Sequence, residues 1–260
     1  MFEFFGISPY EFQHFLLIYL RLFALFQTFP IFSSTNVKTE YKVFVPFYLA
    51  LLHNSYVPFP ESLPVSLPVL GFLGAKEAAA GLSIGFVSVI FMQGVSFAGM
   101  LASRMMGLSM MSMLNPLSDE NVNVIGQLKY FIAVMVIFSV NGHHFLLQTM
   151  LDSFYYIPVT QVRFSGEVIE EFMYILSNIF ITGIKLSAPV YVSLFIERVV
   201  LALFSKFTPQ MNVMFVAMPA GILLGFYFLM LSMPYFIEVF GKVFIAYKED
   251  LLTFIRLMGA

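Results

Sequence analysis

Few residues in this sequence could do chemistry, and most of them are isolated charges inside apolar stretches. Arg21, Lys185 and the adjacent Glu197 and Arg198 lie in segments that are otherwise almost free of charge. A charge buried in an apolar helix is expensive, so each one needs a partner or a function. Arg21 has no acid within one helical turn. It therefore predicts either a transport residue or, as we favour, pairing with a neighbouring helix end or a partner subunit.

The other intramembrane charges favour structural roles. Lys185 precedes Pro189 by four residues, and a proline inside a helix frees a carbonyl that the lysine amine could take. Glu197 and Arg198 are adjacent, so they point to different faces of a helix and do not pair with each other.

The pair His143-His144, after Asn141 and Gly142, has the residue type for metal binding or proton transfer. Adjacent side chains on a helix diverge by about 100°, so the two rings cannot hold one ion from the same face. The chain has no Cys, no acid close to the pair and no HExxH spacing. We also find no phosphate loop, dinucleotide fingerprint or Ser-His-Asp arrangement. The sequence therefore predicts no metal, no cofactor and no enzyme.

Composition places the chain in lipid or in a large apolar assembly. Of 260 residues, 60% are hydrophobic and only 11% are charged, with a mean hydropathy of +0.88; ordinary globular domains have about 25% charged residues. The net charge of −2 gives no reason to expect a nucleic-acid partner. The acidic N-terminus is unlike the basic start of a signal peptide, so we expect the first helix to be retained.

The elements that carry these residues are helical, and we predict an all-α protein of about six apolar segments built as helical hairpins. They cover residues 12–32, 43–59, 78–102, 124–154, 172–207 and 213–240. A Pro-rich connector at 57–68 reads as extended chain, and the tail 241–260 as an amphipathic interfacial or docking helix. Positive charges flanking the segments nearly cancel, so orientation is weakly defined.

Small residues and prolines indicate close contact with other protein. The pairs Gly81/Gly85 and Gly221/Gly225 have the spacing that lets membrane helices approach closely. Prolines at four positions predict kinks or breaks, and broken helices are tolerated only where protein or a water-filled cavity surrounds them. This pattern favours a chain surrounded by subunits. The prolines are Pro46, Pro189, Pro219 and Pro234.

The segment GMLASRMMGLSMMSMLNP, residues 99–116, contains six methionines. Methionine is flexible and polarizable, so it fills irregular gaps or seals against surfaces of changing shape. Composition alone favours the first role, in which the methionines fill gaps between packed helices. The alternative is that they form a gate that seals against a changing surface.

Several motifs, taken in order, resemble the FliR family of the flagellar type III export gate. They are Arg21 with Pro30; the E-x-x-x-G-x-x-x-G pattern Glu77, Gly81, Gly85; Ala98-Gly99 before the Met-rich link that ends in Asn115-Pro116; Asn141-Gly142-His143-His144; Ser153-Phe154 with Pro158; Ala188-Pro189; and the link Pro209-Gln210-Met211-Asn212-Val213 with Pro219 after it. Asn115 stands where the family often has Asp, and Arg104 stands where a small polar or acidic residue is expected.

The resemblance implies a non-enzymatic, pore-forming subunit in the bacterial inner membrane at the flagellar basal body. It implies a FliP-like part over 1–170, with a plug loop at about 103–123, a FliQ-like hairpin over 171–240 and the tail 241–260. Partners would be FliP and FliQ, with FlhB and FlhA nearby, and unfolded flagellar proteins would be the cargo.

The same resemblance assigns two sets of residues. The pore or plug set is Met105, Met106, Gly107, Met110, Met111, Met113, Asn115 and Pro116. The packing and assembly set is Arg21, Pro30, Glu77, Gly81, Gly85, Gly99, Pro189, Pro209, Gln210, Asn212, Pro219 and Gly225. The PQMNV link before Pro219 favours flagellar over injectisome (SctT-type) use. A secondary transporter and a purely structural scaffold remain as alternatives; no duplicated half supports the transporter.

Overall fold

The computed structural model describes residues 8–33, 37–58, 66–108, 123–207, 210 and 213–260. Within them the chain is helical, without strands, as the sequence predicts. The helices are α1 (Pro9–Thr28), α2 (Thr39–His53), α3 (Leu67–Met105), α4 (Val124–Ser139), α5 (Gly142–Tyr156), α6 (Gly166–Phe207) and α7 (Val213–Gly259). Three of them, α3, α6 and α7, are long and apolar enough to cross a membrane, and α4 with α5 would make a fourth crossing if the bent pair counts as one span.

Local sequence signals fix where α1 begins. The Ser8 hydroxyl accepts a hydrogen bond from the Glu11 N–H, and the Glu11 carboxylate accepts one from the Ser8 N–H. Pro9 occupies the first turn, where its missing N–H leaves no hydrogen bond unmade. This reciprocal cap satisfies two backbone donors that a helix start otherwise leaves free.

The expected fourth stretch is not one helix. It breaks after Ser139, and α4 and α5 are bent by 76° at the break. Asn141 takes the left-handed conformation there, with φ 54°, which a short polar side chain tolerates better than most. By contrast Pro46, Pro189, Pro219 and Pro234 lie inside helices that continue through them. Each proline removes one backbone donor, and that loss alone does not end these apolar helices.

Two other predicted boundaries differ from the structure. Helix α3 begins at Leu67, so part of the Pro-rich connector is helical and Glu77 lies well inside the helix. The tail from residue 241 continues α7 without a break. One face of it is buried, through Tyr247, Leu251, Phe254, Ile255 and Met258, so it docks within its own chain.

The chain divides into two compact units, each with its own core. Unit 1 comprises Met1–Ile90, Val140–Leu176 and Ala246–Ala260. Its interior is aliphatic and aromatic, with Leu17, Ile18, Leu22, Leu25 and Ile84 fully buried. In the same interior the Ser88 and Tyr247 hydroxyl groups lie 2.5 Å apart and share a hydrogen bond, which pairs two polar groups that burial would otherwise leave unsatisfied.

Unit 2 comprises Phe91–Ser139 and Ser177–Ile245. One part of its core is a ladder of phenyl rings: Phe240 lies 5.8 Å from Phe91 and 6.5 Å from Phe244, between centroids. A second cluster joins α3, α4, α6 and α7 and consists of Ala102, Met106, Ile125, Val190, Leu194 and Leu229.

Candidate functional site

The Met-rich segment joins the described helices at two points, which we call its roots. The first root is Met106, at the end of α3, and it is fixed in the core of unit 2. Met106 directly follows α3 and is 1% exposed, and Met105 packs against the same cluster from a partly buried position. Gly107 then turns the chain with φ +80°, a conformation that glycine adopts without steric penalty. Met106 is thus enclosed by its own chain, which differs from the lumen-facing role expected for it.

Two glycines of α7 make the space for Met106. A Cβ on Gly225 would lie 2.9 Å from the Met106 Cε atom, and a Cβ on Gly221 would lie 3.4 Å from the Met106 carbonyl oxygen. The glycine pair of the sixth apolar stretch therefore receives the base of the Met-rich segment.

Arg198 of α6 caps the C-terminal end of α3. Its Nη2 atom donates to the carbonyl oxygens of Met105 at 2.8 Å and Arg104 at 3.2 Å. The last carbonyls of a helix lack intrahelical donors, and a cation there also interacts favourably with the helix dipole. No ion pair between Arg198 and Glu197 is found among the described residues.

The second root of the segment is Asn123, the residue before α4. Its Oδ1 atom accepts the Gly126 N–H at 2.9 Å, the usual N-cap bond. Its Nδ2 atom donates to the Ser96 carbonyl of α3 at 3.2 Å. One side chain thus starts α4 and attaches it to α3.

Helices α3 and α4 touch backbone to backbone beside this root. A Cβ on Gly99 would lie 2.6 Å from the Gly126 N atom and 2.7 Å from the Ile125 carbonyl oxygen. Backbone atoms cannot move aside as a flexible side chain can, so the crossing requires glycine at position 99.

Lys129 is a residue that sequence reasoning missed. It is 1% exposed, donates to the Leu186 carbonyl at 3.2 Å, and its Nζ lies 5.1 Å from the centroid of the Phe236 ring. It thereby joins α4 to α6 near Pro189 and to α7. Lys185, which we expected to take a carbonyl freed by Pro189, is exposed. The signal that could have found Lys129 is its charge inside an apolar helix.

Unit 1 holds a buried ion pair that the sequence did not specify. The Arg21 Nε and Nη2 atoms both lie 2.5 Å from Glu77 Oε2, and both side chains are fully buried. Arg21 Nη1 donates to the carbonyls of Ser153 at 3.2 Å and Ile157 at 2.7 Å, at the end of α5. Arg21 therefore pairs with a neighbouring helix end, as favoured, and also with an acid 56 residues away in sequence.

Close helix contact brings this pair together. A Cβ on Gly81 would lie 2.5 Å from the Arg21 carbonyl oxygen, and one on Gly85 would collide with Thr28. Pro30 is buried in the turn after α1. The glycine spacing at 81 and 85 thus sets the distance between α1 and α3.

The remaining predicted residues either take no part in these contacts or lie outside the described residues. Gln210 and Pro219 are exposed, and Pro189 is half-buried inside α6. Met110, Met111, Met113, Asn115, Pro116, Pro209 and Asn212 lie outside the described residues. The His143 and His144 ring centroids are 4.1 Å apart, yet no group of three metal-ligating side chains forms within the part of the chain that the structure describes.

Comparison with known proteins identifies the family. The sequence profile of "Bacterial export proteins, family 1" matches residues 12–246. The flagellar biosynthetic protein FliR of Bacillus subtilis (strain 168) is 32% identical over 252 residues, 95% of this chain and 96% of that protein. This chain belongs to bacterial export protein family 1, the FliR family.

Other relatives extend across two kinds of system. FliR of Escherichia coli (strain K12) is 26% identical over 220 residues, 83% of this chain and 82% of that protein. The Yop proteins translocation protein T of Yersinia pestis is 31% identical over 173 residues, 66% of each chain. With its long apolar helices, this member of the FliR family is a membrane-type component of a bacterial export apparatus.

Proposed function

We propose that this chain is a structural, pore-forming subunit of the flagellar type III protein export gate in the bacterial inner membrane. In this proposal it assembles with FliP and FliQ subunits, with FlhB and FlhA nearby, and unfolded flagellar proteins pass through the assembly. The part over 1–170 takes the place of a FliP-like subunit, and the α6–α7 pair over 171–240 that of a FliQ-like hairpin. The chain performs no catalysis in this role.

The observation that carries the proposal is the fixing of both roots of the Met-rich segment in unit 2. Met106 and Arg198 hold the α3 end, and Asn123 holds the α4 end. Residues 109–122 between them include three methionines followed by the polar run NPLSDENV. Flexible thioethers re-pack around varied surfaces without sequence preference. In our proposal Met105, Met110, Met111 and Met113 seal the pore, and Met106 anchors the seal.

Exposed apolar faces support assembly with other subunits. Only 17% of the most apolar 18-residue stretch of α7 is buried within the chain, and only 33% of that of α6. Large side chains such as Phe204, Phe207, Leu223 and Met230 are more than half exposed. Apolar surface of this extent needs lipid or protein against it, and a multi-subunit export apparatus supplies the protein.

The seal is tested by replacing residues 109–122 with a Gly-Ser segment of equal length, which keeps the chain connected and removes the methionines. Ion leak across the cytoplasmic membrane and secretion of flagellar proteins are measured in the bacterium that encodes the chain. We expect leak to rise while export continues. A matched variant, with Met110, Met111 and Met113 changed to Leu, keeps apolar volume and should leak less. Unchanged leak together with unchanged export would remove the seal from the proposal.

Assembly is tested separately, by purifying the tagged chain from membranes and measuring the mass of the intact complex. An export-gate subunit should co-purify with unlike small membrane proteins. A secondary transporter would be stable alone or as a homo-oligomer, and recovery in that form would overturn the gate proposal.

The injectisome alternative rests on the Yersinia relative, which covers 66% of the chain. Flagellar FliR relatives cover up to 95% of it. Deleting the gene should therefore abolish flagellar filaments and motility. Loss of a secreted effector with normal filaments would favour the injectisome.

A further inference from the structure

The connector between α5 and α6 contains a backbone conformation that its residue type disfavours. Thr160 has φ +77°, and the Gln161 N–H donates to the Pro158 carbonyl at 3.1 Å. The third position of such a turn normally carries Gly or Asn. A β-branched residue with positive φ is a true outlier, and it persists only where surrounding contacts hold it.

Glu77 and Arg21 supply contacts on both sides of this turn. Glu77 Oε1 accepts the Thr160 N–H at 2.7 Å, while Glu77 Oε2 pairs with Arg21. Arg21 binds the Ile157 carbonyl just before the turn. Both ends of the strained turn are thus held by the same fully buried ion pair.

The last turn of α7 closes against the same connector. The Arg163 N–H donates to the Met258 carbonyl at 3.0 Å, and Arg163 Nη1 donates to the Ala260 carbonyl at 2.5 Å. Gly259 passes so close to Tyr156 that a Cβ on it would lie 2.9 Å from the Tyr156 carbonyl carbon. Arg163 follows Thr160 by three residues, so a change in the turn moves the group that holds α7.

We propose that residues 157–163 form a conformational latch with two states. In the latched state Glu77 holds Thr160 in the left-handed region and the last turn of α7 packs on the connector. In the released state Thr160 relaxes to negative φ, Arg163 turns away, and the last turn of α7 withdraws. The steric penalty at Thr160 sets the balance between the two states.

The test uses the absence of cysteine from this chain. Met258→Cys places one thiol at a fully buried position of the α7 turn, and its rate of maleimide labelling in native membranes reports release. Ala50→Cys, also fully buried in unit 1 but in α2, is the matched control for general opening. Each reporter is combined with Thr160→Gly and with Thr160→Asn.

Glycine adopts positive φ without penalty, so Thr160→Gly should favour the latched state. We expect labelling at position 258 to slow roughly five- to thirtyfold, which is the factor equivalent to the left-handed penalty. Thr160→Asn should slow it less, and labelling of Ala50→Cys should not change. The latch is overturned if Thr160→Gly leaves labelling at 258 unchanged, or slows both reporters equally. Labelling requires no export, so the latch and the proposed gate function can fail independently.

Discussion

Gly225 lies directly against the Met106 side chain, so close that a Cβ on Gly225 would stand 2.9 Å from the Met106 Cε atom. Gly225 has no side chain and so leaves the space that the flexible Met106 side chain fills. Because Met106 is the first root of the Met-rich segment, the space beside Gly225 fixes where that segment is anchored in unit 2.

Enlarging Gly225 should expel Met106. We expect Gly225→Val to lower the free energy of unfolding by about 1–3 kcal/mol, the usual penalty for overpacking a filled core. Thermal unfolding of the purified protein in detergent measures it. Gly241→Ala, on the same helix with no atom within 4 Å of the new Cβ, should be neutral or stabilising by about 0.5–1 kcal/mol. Equal effects of the two changes would show that Met106 does not need this space.

Asn123 should act through two separate bonds. Asn123→Ala loses the N-cap and the bond to Ser96, and we expect a loss of about 1–2 kcal/mol. Asn123→Asp keeps the acceptor for the Gly126 N–H but cannot donate to the Ser96 carbonyl, so its loss should be smaller. Hydrogen exchange in the first turn of α4 measures the difference. Identical exchange in the two variants would mean that the N-cap bond to Gly126 contributes nothing, and exchange in Asn123→Asp equal to that of the unchanged protein would mean that the link to Ser96 contributes nothing.

The buried pair Arg21–Glu77 should be strongly non-additive. Glu77→Leu leaves the Arg21 charge buried without an acid, and Arg21→Met leaves the carboxylate alone; each should cost about 3–5 kcal/mol. The double variant removes both charges and should lose at least about 1 kcal/mol less than the sum of the two single losses. Unfolding of all four proteins in detergent completes the cycle. Additive losses would contradict direct coupling.

Arg198 should protect the end of α3. Arg198→Ala removes its two bonds to carbonyl oxygens, and because the residue is exposed we expect a local loss of only about 1 kcal/mol. Amides of residues 102–108 should then exchange faster with solvent. Lys206→Ala removes another exposed cation from the same helix and should leave that exchange unchanged. Faster exchange in both variants would point to general destabilisation of α6.

The sequence predicts helical class and close glycine contacts well, because composition and spacing are local signals. It does not predict the Arg21 partner, since Glu77 is one of several acids and only the contact of α1 with α3 selects it. Prolines were expected to kink or break helices; the helices continue through all four prolines, and the sharp break lies at Asn141. Pro189 illustrates the reason. Val190 and Leu194, just after the proline, pack in the core, and these contacts keep α6 continuous although one backbone donor is missing.

The candidate site was predictable in part. The Met-rich composition located the segment, but the roles of Arg198, Asn123 and Lys129 depend on which helices meet. Hydrogen bonds to backbone carbonyls leave no trace in residue types, so pattern reasoning could not assign them. The continuity of α7 into the tail was missed because scattered charges made residues 241–260 look like a separate element.

The two fixed roots limit how far the Met-rich segment can extend. Fourteen residues, 109–122, separate Leu108 from Asn123, and a fully extended chain of that length measures roughly 50 Å. Asn123 is attached at the level of Ser96, about 14 Å back along α3 from its last residue, Met105, at the helical rise per residue. The Leu108 N–H bonds back to the Ser103 carbonyl, so Leu108 lies beside the end of α3. Half of the remaining contour length, about 18 Å, is the furthest that the segment can project beyond the end of α3. Any aperture that it closes must therefore lie within that distance of the end of α3.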